Sequence, residues 1–186
     1  MKIIDNFLTP SYADALEDQF LSPQQEWFFN RNASYLEEEE KFHMKFGFQF
    51  HIFRLDVGFS DTKLTYFLKP LLFQIQDAVK CTNLLKCRVD MTMASGTKVI
   101  HDPHIDIPFE LASGINNYIT TIYYTSDSDG DTVLYNEFEE SDEYTVMDTV
   151  TPKKNRLLIF EGRRFHTGHS PMLHQNRVLI NSNFTS

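Results

Sequence analysis

Apolar residues recur at helical intervals in two stretches of the chain. Tyr12, Leu16 and Phe20 line one side of 11–20 behind Thr9-Pro10, and Leu64, Phe67, Leu71, Leu72, Ile75 and Val79 do the same over 62–79. A period near 3.6 predicts two amphipathic helices lying outside a sheet, the second kinked or restarted at Pro70. Most of the remaining sequence falls into β-rich runs bounded by turn residues: 45–55, 85–94, 118–125, 132–135, 144–149, 156–160 and 176–184. Short strands at such spacing predict a sandwich or barrel rather than a parallel sheet. No Pro-rich or Gly/Ser-rich tract and no repeat interrupts them, so a single folded unit is expected.

Composition narrows the picture. At 186 residues, with 41% apolar residues that include 17 Phe and 8 Tyr, the chain is large enough for a sizeable core. The formal net charge of -9 argues against nucleic acid, because phosphate backbones reward clustered Lys and Arg. Cys81 and Cys87 are too few for a disulfide framework and match no usual zinc pair, so two reduced, partly buried thiols are expected. The first ten residues lack a basic flank and a long apolar stretch, and no run approaches the roughly 20 apolar residues that span a bilayer. A cytoplasmic setting without a membrane partner is the expectation.

The chemistry gathers in the second half. In Asp102-Pro103-His104-Ile105-Asp106-Ile107-Pro108, an extended backbone would turn His104 and Asp106 to one face, where both can hold one ion. His166 follows the apolar run 155–160 closely enough to supply a third ligand from the end of a neighbouring strand. Two imidazoles and one carboxylate leave the opposite positions of a metal open, as non-haem Fe(II) oxygen chemistry requires. A lone His-x-Asp pair is weak evidence, but Arg177 strengthens it. It begins an apolar-rich strand with Leu179, Asn181 and Asn183 on its own face and Val178, Ile180 and Phe184 on the other. A guanidinium inside a barrel is costly unless it meets an anion, and a dicarboxylate supplies one that its planar fork can grip.

The order His104-x-Asp106, Ile122-Tyr123-Tyr124, Asp129-Gly130-Asp131-Thr132, Asn155 to Phe160, His166 and Arg177 resembles the prolyl 4-hydroxylase-like branch of the 2-oxoglutarate/Fe(II) oxygenases. The opening Ile4-Asp5-Asn6-Phe7-Leu8 is similar to that of short bacterial and phage members. The resemblance implies a double-stranded β-helix, a jelly-roll, cupin-like barrel over about 85–186, with helical and strand support from about 1–84. It implies His104, Asp106 and His166 as iron ligands and catalytic centre, Arg177 on the distal carboxylate of 2-oxoglutarate, and Tyr124 assisting there. Fe(II), 2-oxoglutarate and dioxygen would be needed, and succinate and CO2 released. The substrate would be a protein side chain, prolyl or similar, or a small molecule. Two positions depart from the family pattern: Asp131 stands where a second Gly is usual, and Leu179 replaces a small polar residue two positions after the Arg.

Other readings compete for the same residues. His101 and His169, each three residues from a proposed ligand, would allow a three-His zinc site, but that leaves Arg177 without an anion. They are better read as groups at the pocket rim. His43, His51 and His174 have no evident partner. Asp127, Asp129 and Asp131 invite a calcium reading, yet Gly130 is misplaced for an EF-hand loop. Arg88, Asp90 and Thr92 alternate with Cys87, Val89, Met91 and Met93, so one strand face can present polar groups to a pocket. Phe28, Phe29, Phe46, Phe48, Phe50 and Phe53 read as core or barrel cover, and the acidic stretch 137–143 as a solvated loop. Loops at 21–40, 108–117 and 137–143 are candidate lids. The alternative from another class is a jelly-roll module that keeps a metal pocket without catalysis.

Overall fold

The computed structural model describes residues 1–30, 46–94, 96–108, 115 and 117–186. The chain runs β1 (Lys2–Asp5), α1 (Pro10–Leu21), β2 (Phe28–Asn30), β3 (Gly47–Arg54), β4 (Gly58–Phe59), α2 (Lys63–Val79) and β5 (Asn83–Met93). It continues through β6 (Ile119–Tyr124), β7 (Thr132–Tyr135), β8 (Val146–Val150), β9 (Arg156–Glu161), β10 (His166–Gly168) and β11 (Asn176–Thr185). The large sheet is antiparallel in the order β1-β9-β6-β11-β5-β3-β2, with β4 paired to β3. A small sheet has the order β10-β7-β8. Bridges Ile100↔His169 and His104↔His166 lay the stretch between β5 and β6 alongside β10. This is a double-stranded β-helix, mainly β with flanking helices.

Alternation along the strands of the large sheet sorts two cores. Cys87, Val89, Tyr123, Leu157, Val178, Ile180 and Phe184 pack with Leu16 and Phe20 of α1 and Leu68, Leu71, Leu72 and Ile75 of α2. Ile122, Tyr124, Leu158, Phe160 and Leu179, from the other face, close against Leu134 and Val150 of the small sheet. The period of two sends neighbours to opposite faces, so one strand such as β11 serves the helix layer and the barrel interior at once.

All seven predicted strands form, with ends that coincide or shift by at most two residues. Four short ones, β1, β2, β4 and β10, were not predicted. The expected break at Pro70 does not occur: α2 is continuous, capped at Thr62, whose hydroxyl accepts from Thr65 N at 3.1 Å. His43, the acidic residues 37–40 and much of two candidate lids lie outside the described residues. Among the described residues, no helix is long and apolar enough to cross a membrane. Cys81 and Cys87 are free, buried thiols.

Candidate metal and anion site

His104 and His166 are brought together by their own main chains. His104 N donates to His166 O at 2.9 Å and His166 N to His104 O at 3.0 Å, a mutually bonded antiparallel pair. The ring centroids lie 4.7 Å apart. Asp106, two residues on, places Oδ2 at 3.6 Å from His166 Nε2. Ligand atoms of all three residues fall within 4.8 Å of one another, and His101 and His169 do not join this group.

The surroundings fix each group in a metal-binding state. His104 Nδ1 sits 2.9 Å from Asp102 O, and His166 Nδ1 3.1 Å from Arg164 O. A carbonyl only accepts, so each Nδ1 carries the proton and each Nε2 keeps its lone pair. Burial, reinforced by His166, pushes the His104 pKa down to about 4, which leaves the imidazole neutral at physiological pH. Asp106 is buried, which alone would raise its pKa. His166, Lys86, His104 and the Asn183 amide outweigh burial and hold the carboxyl well below the usual range. Its oxygens accept from Asn181 Nδ2 at 2.9 Å, Asn183 Nδ2 at 3.1 Å and Thr120 Oγ1 at 3.3 Å. Lys86 Nζ binds the Asp106 main-chain oxygen at 2.9 Å. Two imidazoles with Nδ1 turned to a carbonyl and an ionised carboxylate fit a divalent first-row metal.

Arg177 occupies the other end of the same cleft, a space of about 640 Å³ partly open to solvent. The residue is 7% exposed; Nη2 donates to Thr132 Oγ1 at 2.7 Å, and among the described residues Nε has no partner. Tyr124 hydroxyl donates to the same Thr132 oxygen at 2.7 Å. Two glycines make room. A Cβ at Gly130 would stand 2.7 Å from Arg177 Cδ and 2.6 Å from His169 O, and one at Gly168 would stand 3.1 Å from Arg177 Nη1. A buried guanidinium with an idle donor, clear of side chains on two sides, fits a carboxylate.

Sequence reasoning missed four contributors. Asn181, Asn183 and Thr120 hold Asp106 in place, and Thr132 joins Tyr124 to Arg177. The signal for the two asparagines was their position on the Arg177 face of an otherwise apolar strand. One further expectation needs correction. His174 does have a partner: its Nδ1 lies 3.0 Å from Asp129 Oδ1. Asp129 also accepts from the main-chain N–H groups of Met172, Leu173 and His174. That carboxylate is committed to pinning the loop before β11, not to holding calcium.

The double-stranded β-helix of this chain is that of the 2-oxoglutarate/Fe(II) oxygenases, as comparison with solved structures shows. A prolyl hydroxylase from Trichoplax adhaerens, in complex with a hypoxia inducible factor oxygen degradation domain peptide, matches at a TM-score of 0.66 and 20% identity, over 98% of this chain and 82% of that one. A Pseudomonas putida prolyl-4-hydroxylase matches at 0.59 and 13% identity, over 100% and 92%. HygX from Streptomyces hygroscopicus, with nickel, 2-oxoglutarate and hygromycin B bound, matches at 0.61 and 11% identity, over 98% and 81%. No family model and no curated protein sequence matches the chain.

Proposed function

We propose that the protein is an Fe(II)/2-oxoglutarate-dependent dioxygenase that hydroxylates a C–H bond of a protein side chain, prolyl or similar, or of a small molecule. One observation carries the reading: the two histidines of a two-His, one-carboxylate cluster line the same cleft as a buried, under-bonded arginine. His104, Asp106 and His166 would hold Fe(II), and Arg177, with Thr132 and Tyr124 behind it, would take the distal carboxylate of 2-oxoglutarate. The neighbours bracket the substrate range, from the peptide bound by the Trichoplax protein to the hygromycin B bound by HygX. Bound iron, 2-oxoglutarate and dioxygen supply the oxidation: one oxygen atom enters the substrate as hydroxyl, the other enters succinate, and CO2 leaves.

The protein's own part is to position and exclude. Backbone pairing of His104 with His166 sets the bite of the metal site, and the amides on Asp106 keep its carboxylate from rotating away. Phe160 packs edge-on against the His166 ring at 4.9 Å and restricts water on that side. The test is anaerobic titration of the apo-protein with Fe(II) and 2-oxoglutarate, watching for the weak visible charge-transfer band of a keto acid chelated to iron. A band that the His166→Ala protein lacks is expected. A folded protein that binds metal without the band would favour the non-catalytic jelly-roll module or a zinc site instead.

A further inference from the structure

One wall of the cleft carries charge that neither folding nor metal binding asks for. Arg88 and Asp90 lie on β5, two residues apart, and both line the cleft beside His104. Arg88 Nε approaches Asp90 Oδ1 to 2.6 Å, with both side chains mostly withdrawn from water. An ion pair in such a place loses hydration at both partners, and an apolar pair of similar volume would serve stability as well or better.

An independent feature stands next to it. Asn181, opposite Arg88 in the ladder between β11 and β5, gives its Nδ2 to Asp106 at 2.9 Å. A carboxylate only accepts, so the amide cannot flip, and its Oδ1 must be an acceptor. That oxygen is buried in a residue only 5% exposed that lines the cleft, and it has no hydrogen-bond partner. The wall thus offers a guanidinium, a carboxylate and an idle carbonyl oxygen within one small patch.

We propose that this patch recognises the zwitterionic head of a free α-amino acid, the carboxylate on Arg88 and the ammonium between Asp90 and Asn181 Oδ1. The assignment rests on the oxygenase reading and names its substrate class. Binding exchanges one internal ion pair for two intermolecular ones and leaves the net charge of the cleft unchanged. It also satisfies Asn181 Oδ1, which an ammonium can do and a carboxylate cannot. A residue inside a peptide carries neither charge at its backbone. Seated here, it would strip water from Arg88 and Asp90 and replace it with weaker, uncharged contacts.

The experiment uses the anaerobic Fe(II)/2-oxoglutarate protein and three sets of probes: the free L-amino acids including proline, their C-terminal amides, and their N-acetyl derivatives. Binding is read from perturbation of the charge-transfer band and from the melting temperature. At least one free amino acid is expected to shift both, with its amide and its N-acetyl form weaker by roughly tenfold or more, the scale set by a lost charge-assisted hydrogen bond. Arg88→Gln should remove the discrimination against the amide and leave that against the N-acetyl form. Asp90→Asn should do the reverse. Both variants should keep the band itself, which shows that fold and metal site survive. A band that no free amino acid perturbs, or capped forms that bind as tightly as free ones, would overturn the assignment and leave the oxygenase reading standing. Absence of the band in the wild-type protein would overturn both.

Discussion

The two ends of the cleft are built on opposite plans. At the metal end, Asp106 receives three side-chain hydrogen bonds and the two histidines are locked by carbonyls and by their own main chains. At the anion end, Arg177 is equally buried, but it leaves Nε idle among the described residues while Nη2 binds Thr132. The first end is complete before any ligand arrives, its order secured during folding. The second holds an unmet demand that only an anion satisfies, so its cost is carried by the folded protein and recovered on binding. On the proposed function, specificity for metal geometry and affinity for a cosubstrate would then lie in different parts of one barrel.

Removing a ligand should break this contrast most severely. His104→Ala is expected to lose all measurable turnover and the charge-transfer band while still folding, checked by circular dichroism and an iron-binding assay. Next, Arg177→Met and Asp106→Asn should move stability in opposite directions. The methionine variant should lose at least about 30-fold in 2-oxoglutarate affinity, as expected for a truncated buried charge pair. Its ligand-free stability should stay level or rise by about 1–4 kcal/mol, since an unpaired buried guanidinium is gone. Asp106→Asn should instead cost about 1–3 kcal/mol, because its new NH2 group faces donors. Calorimetry and denaturant melts decide both; a destabilised Arg177→Met protein would show that the anion end is already satisfied.

Acid should separate the two ends further. In metal-free protein His104 has a pKa of about 4 when folded against 6.5 when exposed, so the unfolded chain binds a proton that the folded chain refuses. Its contribution is therefore present above pH 6.5 and lost as pH falls from there towards 4. Asp106, depressed from 3.8, contributes above that value and is lost only at still lower pH. A melting temperature that declines between pH 6.5 and 4, and declines less in His104→Gln, is the expected result. The smallest effect belongs to Thr132→Val, which removes the oxygen shared by Tyr124 and Arg177. It should weaken 2-oxoglutarate by roughly fivefold to tenfold, the value of one ordinary hydrogen bond, without altering metal affinity.

Much of this was legible in the chain. Six of the seven predicted strands have five or more residues, enough for a β-rich run to register, and four-residue β7 showed as an apolar run after the turn at Ser126 to Asp131. β10 and β4, with three and two residues, have no pattern of their own and exist only through the register of β7 and β3. The same limit applies at the site. The i, i+2 spacing of His104 and Asp106 is local and readable, whereas the pairing of His104 with a residue 62 positions later is a property of the closed barrel. Thr132 was noted as part of a turn motif, but its bond to Arg177 spans 45 residues. Pro70 misled in the other direction: packing of Leu68, Leu71, Leu72 and Ile75 in the core keeps α2 whole despite one missing donor.

The reciprocal main-chain bonds between His104 and His166 separate two properties that usually vary together. Where each ligand stands is written in amides and carbonyls, which every amino acid possesses; what each ligand is made of is written in the side chain alone. The barrel is therefore a socket with exchangeable contacts. If the site holds a metal as proposed, replacing one imidazole by a thiolate or a carboxylate would re-tune the cage toward a softer or harder ion without re-laying the backbone.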